Sequence, residues 1–171
     1  MPYPYGGGDI IYAVDINAIY EASVDRPACI LQQTVSQSIP DNTTTAITFT
    51  TETLDTHGFH STSSNTTRIT PTVAGWYRFH GVVWAPSLGT YATVVAGISK
   101  NGTTQTSPER HATPPTSGSF TDTVGGTYSA NGTTDYFELT MLQDNTANSA
   151  QNTLVSGSNA CYFECVFERG L

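Results

Sequence analysis

Forty-nine of the chain's 171 residues are Val, Ile or Thr, and 29 of those are threonine. Branching at Cβ restricts χ1, disfavours helix and suits a pleated surface, so the bias predicts an all-β fold. The length is about that of one domain. A chain of this size buries roughly 70% of its unfolded surface and needs no disulfide or metal staple. Charged residues make up only 12%, with one lysine, Lys100, and five arginines against 14 acids, for a net charge of −8. A nucleic-acid partner needs a basic stripe that displaces counterions, and an anionic membrane needs the same sign of charge. Neither partner is expected. No apolar run approaches the ~18 residues of a spanning helix.

The first basic residue is Arg26, so no positively charged segment precedes an apolar stretch, and no secretory signal is expected. Four Asn-x-Thr sequons, at Asn42, Asn65, Asn101 and Asn131, then follow from threonine abundance rather than from glycosylation. Cys161 and Cys165 lie four apart in a strand-like segment, which sets their Cα atoms ~13 Å apart, too far to bridge. They share a face with Phe163 and Phe167 and read as buried thiols. Cys29 would pair with one of them only if the fold brought the two together, and three free thiols are expected.

Three zones succeed one another along the chain. Residues 1–9 combine prolines with a glycine run and form an arm without regular structure. Asp15 is placed to cap a short helix whose Ile16, Ile19, Tyr20 and Val24 fall on one stripe, ending at Arg26-Pro27. A helix of about ten residues is marginal alone, so that stripe needs a surface. From Ala28 onward the pattern is strands and turns: 29–39, 43–53, 68–70, 75–85, 91–99, 120–130, 135–143, 153–156 and 160–169. Asn101-Gly102 and Asn131-Gly132 are type I′ hairpin signals, and Ser107–Ser119 is a proline-bearing exposed loop. Short strands between turn signals indicate a sandwich or jelly roll.

In the segment from Gly75 to Trp84, one face carries Trp76, Arg78, His80, Val82 and Trp84, and the other Tyr77, Phe79, Gly81 and Val83. Neither face is purely polar, and the same holds for Tyr136 to Leu142. Apolar residues on both faces imply that both are covered, one by the opposing sheet and one by another subunit.

Thr66-Thr-Arg-Ile-Thr-Pro-Thr-Val-Ala-Gly-Trp-Tyr-Arg-Phe79 holds a Gly-x-Tyr-x-Phe strand with its preceding turn. Ile98-Ser-Lys-Asn-Gly102 ends a strand in an Asn-Gly hairpin. Gly132-Thr-Thr-Asp-Tyr-Phe-Glu-Leu139 is a variant of Gly-Asp-x-Val-x-Leu, and Phe163-Glu-Cys-Val-Phe167 is a closing strand. In this order, over most of residues 28–171, they resemble the complement C1q globular-head family, a TNF-like jelly roll. The chain departs from the family pattern by the two threonines between Gly132 and Asp135.

A second set of segments spans Gly8-Asp-Ile-Ile-Tyr-Ala-Val-Asp-Ile-Asn-Ala-Ile19 with Arg26-Pro27, Gln33 to Phe49, and Asp55-Thr-His-Gly-Phe-His60. These resemble bacteriophage virion proteins that place a C1q-like module after a short attachment segment. The two resemblances together imply a C1q/TNF-like jelly roll over 28–171, and an attachment arm and helix over 1–27 that includes Tyr3, Tyr5, Ile16, Ile19, Tyr20 and Val24. They imply a non-enzymatic homotrimer displayed on the virion as a minor tail or fibre protein or a capsid decoration, assembled in the host cytoplasm with other virion proteins as partners. Trp76, Arg78, His80, Trp84 and Tyr136 are the candidate trimer-interface residues. No cofactor and no metal are expected.

Chemical sites are weighed against plainer roles. His57 and His60 flank Gly-Phe and His80 and His111 lie elsewhere, without the three or four converging ligands of a metal site. Asp144, Asn145 and Asn148 form a polar loop without EF-hand spacing. Glu52 and Asp55 are an acid pair, but no nucleophile elbow, phosphate loop or His-Glu-x-x-His occurs. The competing function is binding of a host-surface glycan or receptor, with Trp76, Trp84, Tyr91 and Tyr128 as stacking surfaces and the Ser107–Ser119 loop as an exposed contact. The two tryptophans are instead assigned to core or subunit interface.

Overall fold

The computed structural model describes residues 26–86, 91–104, 119–157 and 159–171. The expected arm and helix, with Tyr3, Tyr5, Ile16, Ile19, Tyr20 and Val24, lie outside the described residues, as does most of the Ser107–Ser119 loop. Twelve strands are present among the described residues: β1 Ala28–Gln32, β2 Ser38–Ile39, β3 Thr45–Ala46, β4 Glu52–Asp55, β5 Arg68–Ile69, β6 Gly75–Ala85, β7 Tyr91–Lys100, β8 Thr103–Thr104, β9 Phe120–Ala130, β10 Phe137–Asn145, β11 Gln151–Asn152 and β12 Tyr162–Arg169.

One sheet runs β4-β1-β12-β6-β9, and the facing sheet runs β3-β10-β7-β8 with β5 joining the same edge of β10 as β3. All ladders between strands are antiparallel. The architecture is the all-β, C1q/TNF-like jelly roll that the composition and the strand motifs predict.

Alternation builds the core. Tyr77, Phe79, Val83 and Ala85 of β6 point inward and are buried, facing Phe137, Leu139 and Met141 of β10 and Val94, Ala96 and Ile98 of β7. Phe79 and Phe137 join the two sheets, with ring centroids 4.2 Å apart. At the sheet edges the sandwich is stitched by a buried carboxylate. Asp122 of β9 accepts the backbone N–H of Ala96 of β7 at 2.9 Å and that of Thr123 at 2.9 Å, so a charge inside the fold has donors from both sheets.

The fold brings Cys29 opposite Cys165 in the β1–β12 ladder, yet all three cysteines are free and buried. The bonds from Phe167 N to Pro27 O and from Gln33 N to Cys161 O fix the phase of that ladder. Hydrogen-bonded pairs recur every second residue, which makes Cys29 and Cys165 such a pair, with Cα atoms about 5.5 Å apart. A disulfide needs Cβ atoms within roughly 3.5–4.5 Å, closer than hydrogen-bonded pairs bring them. Burial raises all three thiol pKa values, that of Cys161 to about 11.

Four expectations are corrected. The long strand 29–39 is two short ones, β1 and β2, and 43–53 divides into β3 and β4. The strand expected at 153–156 is replaced by β11, two residues earlier. Thr153 instead ties loops together, its N–H donating to Gln37 O and its hydroxyl to Gln33 Oε1 while accepting Gln37 N–H. The Asn101-Gly102 turn is the expected hairpin, φ being +54° and +77°, and it closes β7 onto β8. Asn131-Gly132 is not a hairpin, because β9 and β10 belong to opposite sheets. Only the glycine of that pair has positive φ, +76°, and Asn131 Oδ1 instead accepts the N–H groups of Thr133, Thr134 and Asp135.

Candidate functional site

The outward residues of β6 form a ridge: Trp76 half-buried, Arg78 and His80 exposed, Val82 and Trp84 half-buried. This covers four of the five interface candidates. Register decides what flanks them. On one side β12 sets Tyr162 against Val82, Glu164 against His80 and Val166 against Arg78. Further out, Ile30 of β1 pairs with Glu164, and Leu54 of β4, 42% exposed, pairs with Ile30. On the other side the outward positions of β9 are Thr121, Thr123, Gly125, Thr127 and Ser129, paired with Trp84, Val82, His80, Arg78 and Trp76. A row of large side chains therefore stands beside a trough of small ones.

A β-bulge between Phe167 and Arg169 shifts the register of β12 so that Arg169 pairs with Trp76. Glu168 then accepts Arg78 Nε at 3.1 Å, and the Arg169 guanidinium lies 5.7 Å over the Trp76 ring. Trp76, Arg78, Thr127, Glu168 and Arg169 line a cleft of about 520 Å³. In the middle of the face, Glu164 accepts the Tyr162 hydroxyl, and its other oxygen is 3.9 Å from His80 Nδ1. Desolvation first, and then the Glu164 carboxylate, hold the Tyr162 phenol above its usual pKa. Arg78 and Arg169 balance Glu164 and Glu168, so the β6–β12 part of this face is neutral on a chain of net charge −8.

Tyr136 is not with the other four. It precedes β10 on the opposite sheet, under the Arg68 guanidinium at 3.9 Å, while Arg68 Nε is 3.6 Å from Glu138. Tyr128 turns inward, half-buried, with its ring packed against Phe79 and Phe137. Trp76 and Trp84 lie on the outer face rather than in the core. Tyr91 is described by its backbone alone.

The loop residues weighed for chemistry are held locally. Asp55 accepts the N–H groups of His57, Phe59 and His60, so its carboxylate shapes a turn instead of facing Glu52 across a cleft. His57 Nδ1 meets Thr56 Oγ1 at 2.8 Å, and the His60 ring lies between Arg68 O and Phe49 O. Asn145 is buried, its amide oxygen accepting Ala147 N–H and its nitrogen donating to Asp41, Gln143 and Ser149. Among the described residues no three His, Cys, Asp or Glu side chains gather as metal ligands, and no helix is long and apolar enough to cross a membrane.

Sequence reasoning missed the β9 trough, the Tyr162–Glu164 pair and the bulge. The trough was legible as Thr, Thr, Gly, Thr, Ser at every second position. The bulge carries no local signal, because Glu168 and Arg169 read as ordinary alternation.

A charged node closes the end of the sandwich. Lys100 Nζ donates to Ser129 O at 2.7 Å and lies 2.9 Å from Asp135 Oδ2, while Asp135 also accepts Asn101 Nδ2 and Asn131 N–H. Desolvation works to raise the Asp135 pKa, but the bonds from Asn101, Lys100 and Asn131 outweigh it and hold the carboxyl below its usual 3.8. A depressed carboxylate stabilises the fold above the unfolded-state pKa and loses that contribution as pH falls through the folded-state one. Melting curves of wild type and Asp135→Asn should therefore differ most at pH 6–7 and converge below pH 4. A difference independent of pH would show that the node does not act through its charge.

The chain matches no protein-family model and no curated protein. Among solved structures it is similar to murine APRIL at pH 5.0, with a TM-score of 0.58 and 12% identity over 84% of this chain and 99% of that one. Murine APRIL at pH 8.0 gives 0.56 and 15% over the same shares. Eiger TNF from S. frugiperda gives 0.54 and 10% over 86% and 95%. At these identities the likeness is one of fold.

Proposed function

We propose that this chain is a non-enzymatic structural subunit of a bacteriophage virion: a homotrimeric jelly roll displayed on the particle as a minor tail or fibre protein or a capsid decoration, and anchored by residues 1–27. Its place is the virion, assembled in the host cytoplasm. The TNF-like jelly roll is typically trimeric, and the observation that carries the reading here is the ridge beside the trough on one neutral face. A half-buried tryptophan ridge beside small residues is a surface that another subunit can cover. In a threefold ring each copy meets one neighbour through this face and the other through a different part of its surface, because one patch meeting itself closes as a twofold pair. Neutrality matters because three chains of charge −8 repel one another wherever their acids meet. The virion assignment rests on the sequence resemblance of residues 8–60.

The cleft of Trp76, Arg78, Glu168 and Arg169 supports the second reading, a module that binds host-surface glycan, since an aromatic face beside charged donors suits a sugar ring.

Light scattering at micromolar concentration should give three times the 18.3 kDa chain mass. A chain lacking residues 1–26 should still give three times its own, smaller chain mass and fail to co-purify with particles. A single-chain mass would overturn the trimer, and normal incorporation of the truncated chain would overturn the anchor. Glycan-array binding lost in Trp76→Ala would favour the second reading.

A further inference from the structure

Resting on that trimeric reading, we propose that assembly takes up protons at His80, so that self-association through this face strengthens as pH falls from 8 to 6. His80 stands at the middle of the β6 ridge. Among the described residues, the carboxylate facing it is Glu164 of β12, at 3.9 Å, and the neighbouring ring is Tyr162, with centroids 6.3 Å apart. The Tyr162 phenol donates to Glu164 and, with its pKa raised, stays protonated across this range. On β9 the residue opposite His80 is Gly125, which brings neither charge nor bulk. An added Cβ there would stand 4.0 Å from His80 Cδ2, so the imidazole lies against a strand position that carries no side chain. On its own strand the nearest charge is Arg78, which is taken by Glu168.

In a single protomer the His80 and Glu164 side chains are 46% and 28% exposed, so water screens both. A second copy laid on the ridge removes that water. A carboxylate left without a counter-charge in such a place is costly, whereas an ion pair with good hydrogen bonding is tolerated. Arg78 is held by Glu168 and Arg169 lies over Trp76. Each protomer therefore brings Glu164 to the interface beside a counter-charge when His80 is protonated, and with the Tyr162 hydroxyl as its donor when it is not. Threefold closure multiplies the difference. An equilibrium whose product binds more protons moves toward product as pH falls.

The test is sedimentation of the full chain at pH 8 and pH 6. The concentration at half-assembly is expected to fall about tenfold for wild type, and to stay unchanged in His80→Gln and in Glu164→Gln. If trimers persist at nanomolar concentration, subunit exchange between two fluorescent labels replaces it, with exchange expected about tenfold slower at pH 6. Equal association at both pH values, weaker association at pH 6, or a shift that survives His80→Gln overturns the proposal and leaves the trimer standing. A single-chain mass at every pH and concentration overturns the trimeric reading itself.

Discussion

Phe79→Ala is expected to remove about 3–5 kcal/mol of unfolding free energy, enough to unfold most of a marginally stable domain. Phe79 is 1% exposed and stands where the two sheets meet. Its ring is 4.2 Å from Phe137, 5.8 Å from Phe163, 6.0 Å from Tyr128 and 6.4 Å from Tyr77 by centroid. Phe137 lies on β10, so truncation removes an inter-sheet contact as well as buried area. The neighbours sit on paired strands and cannot close the void without moving a ladder, which places the cost in the upper part of the range. Urea unfolding followed by tryptophan fluorescence at one fixed chain concentration measures it, because self-association would otherwise shift the midpoint. Phe79→Leu, which keeps most of the apolar volume, should lose clearly less. A loss under about 1 kcal/mol for Phe79→Ala would mean that the aromatic cluster does not hold the sheets together.

Gly132→Ala is expected to cost about 2–5 kcal/mol, combining left-handed backbone strain with overpacking. At φ +76° the added Cβ would stand 2.5 Å from the Ala74 backbone nitrogen and 3.0 Å from the Val73 carbonyl carbon. Neither is the far end of a flexible side chain, so the segment leading into β6 would have to shift. Gly157 provides the control: its φ is +61°, but nothing lies within 4 Å of an added Cβ. Gly157→Ala should therefore show the backbone term alone, about 1–2 kcal/mol. Equal losses at the two positions would show that the approach of Ala74 is not what requires glycine at 132.

Gly132 also shows where a local reading fails. Asn131-Gly132 and Asn101-Gly102 are the same dipeptide, each preceding a threonine, and both satisfy the rule for a two-residue hairpin. One closes β7 onto β8, and the other carries the chain from one sheet to the other. The difference lies further along the chain: the loop from Asn131 to Tyr136 is long enough to span the sandwich, and Asp135 gathers Asn101, Asn131 and Lys100 at its end. Two of those three partners, Asn101 and Lys100, are about 35 residues away in sequence, which no dipeptide encodes.

The outer face divides in the same way. Trp76, Arg78, His80 and Trp84 are legible as one face because alternation along a strand is local, whereas Tyr136 joins them because its own segment is apolar on both faces, a pattern that does not say which sheet the segment enters. Tyr136 leads into β10 of the other sheet, beneath Arg68. Tyr128 reads as a surface aromatic, but it occupies an inward position of β9.

By itself the sequence determined the fold class, the extents of β6 and β9 and which residues share a side of each strand. Cβ branching and the two-residue period act within a few bonds, and they survive whatever the rest of the chain does. Only the tertiary structure decided which strand lies beside which. That pairing set Glu164 against His80 and the small residues of β9 along the ridge, opposed Cys29 to Cys165 at a separation that leaves them free, and bulged β12 to bring Arg169 over Trp76. Each of these depends on register between segments far apart in the chain, and register is chosen by the packing of the whole sandwich.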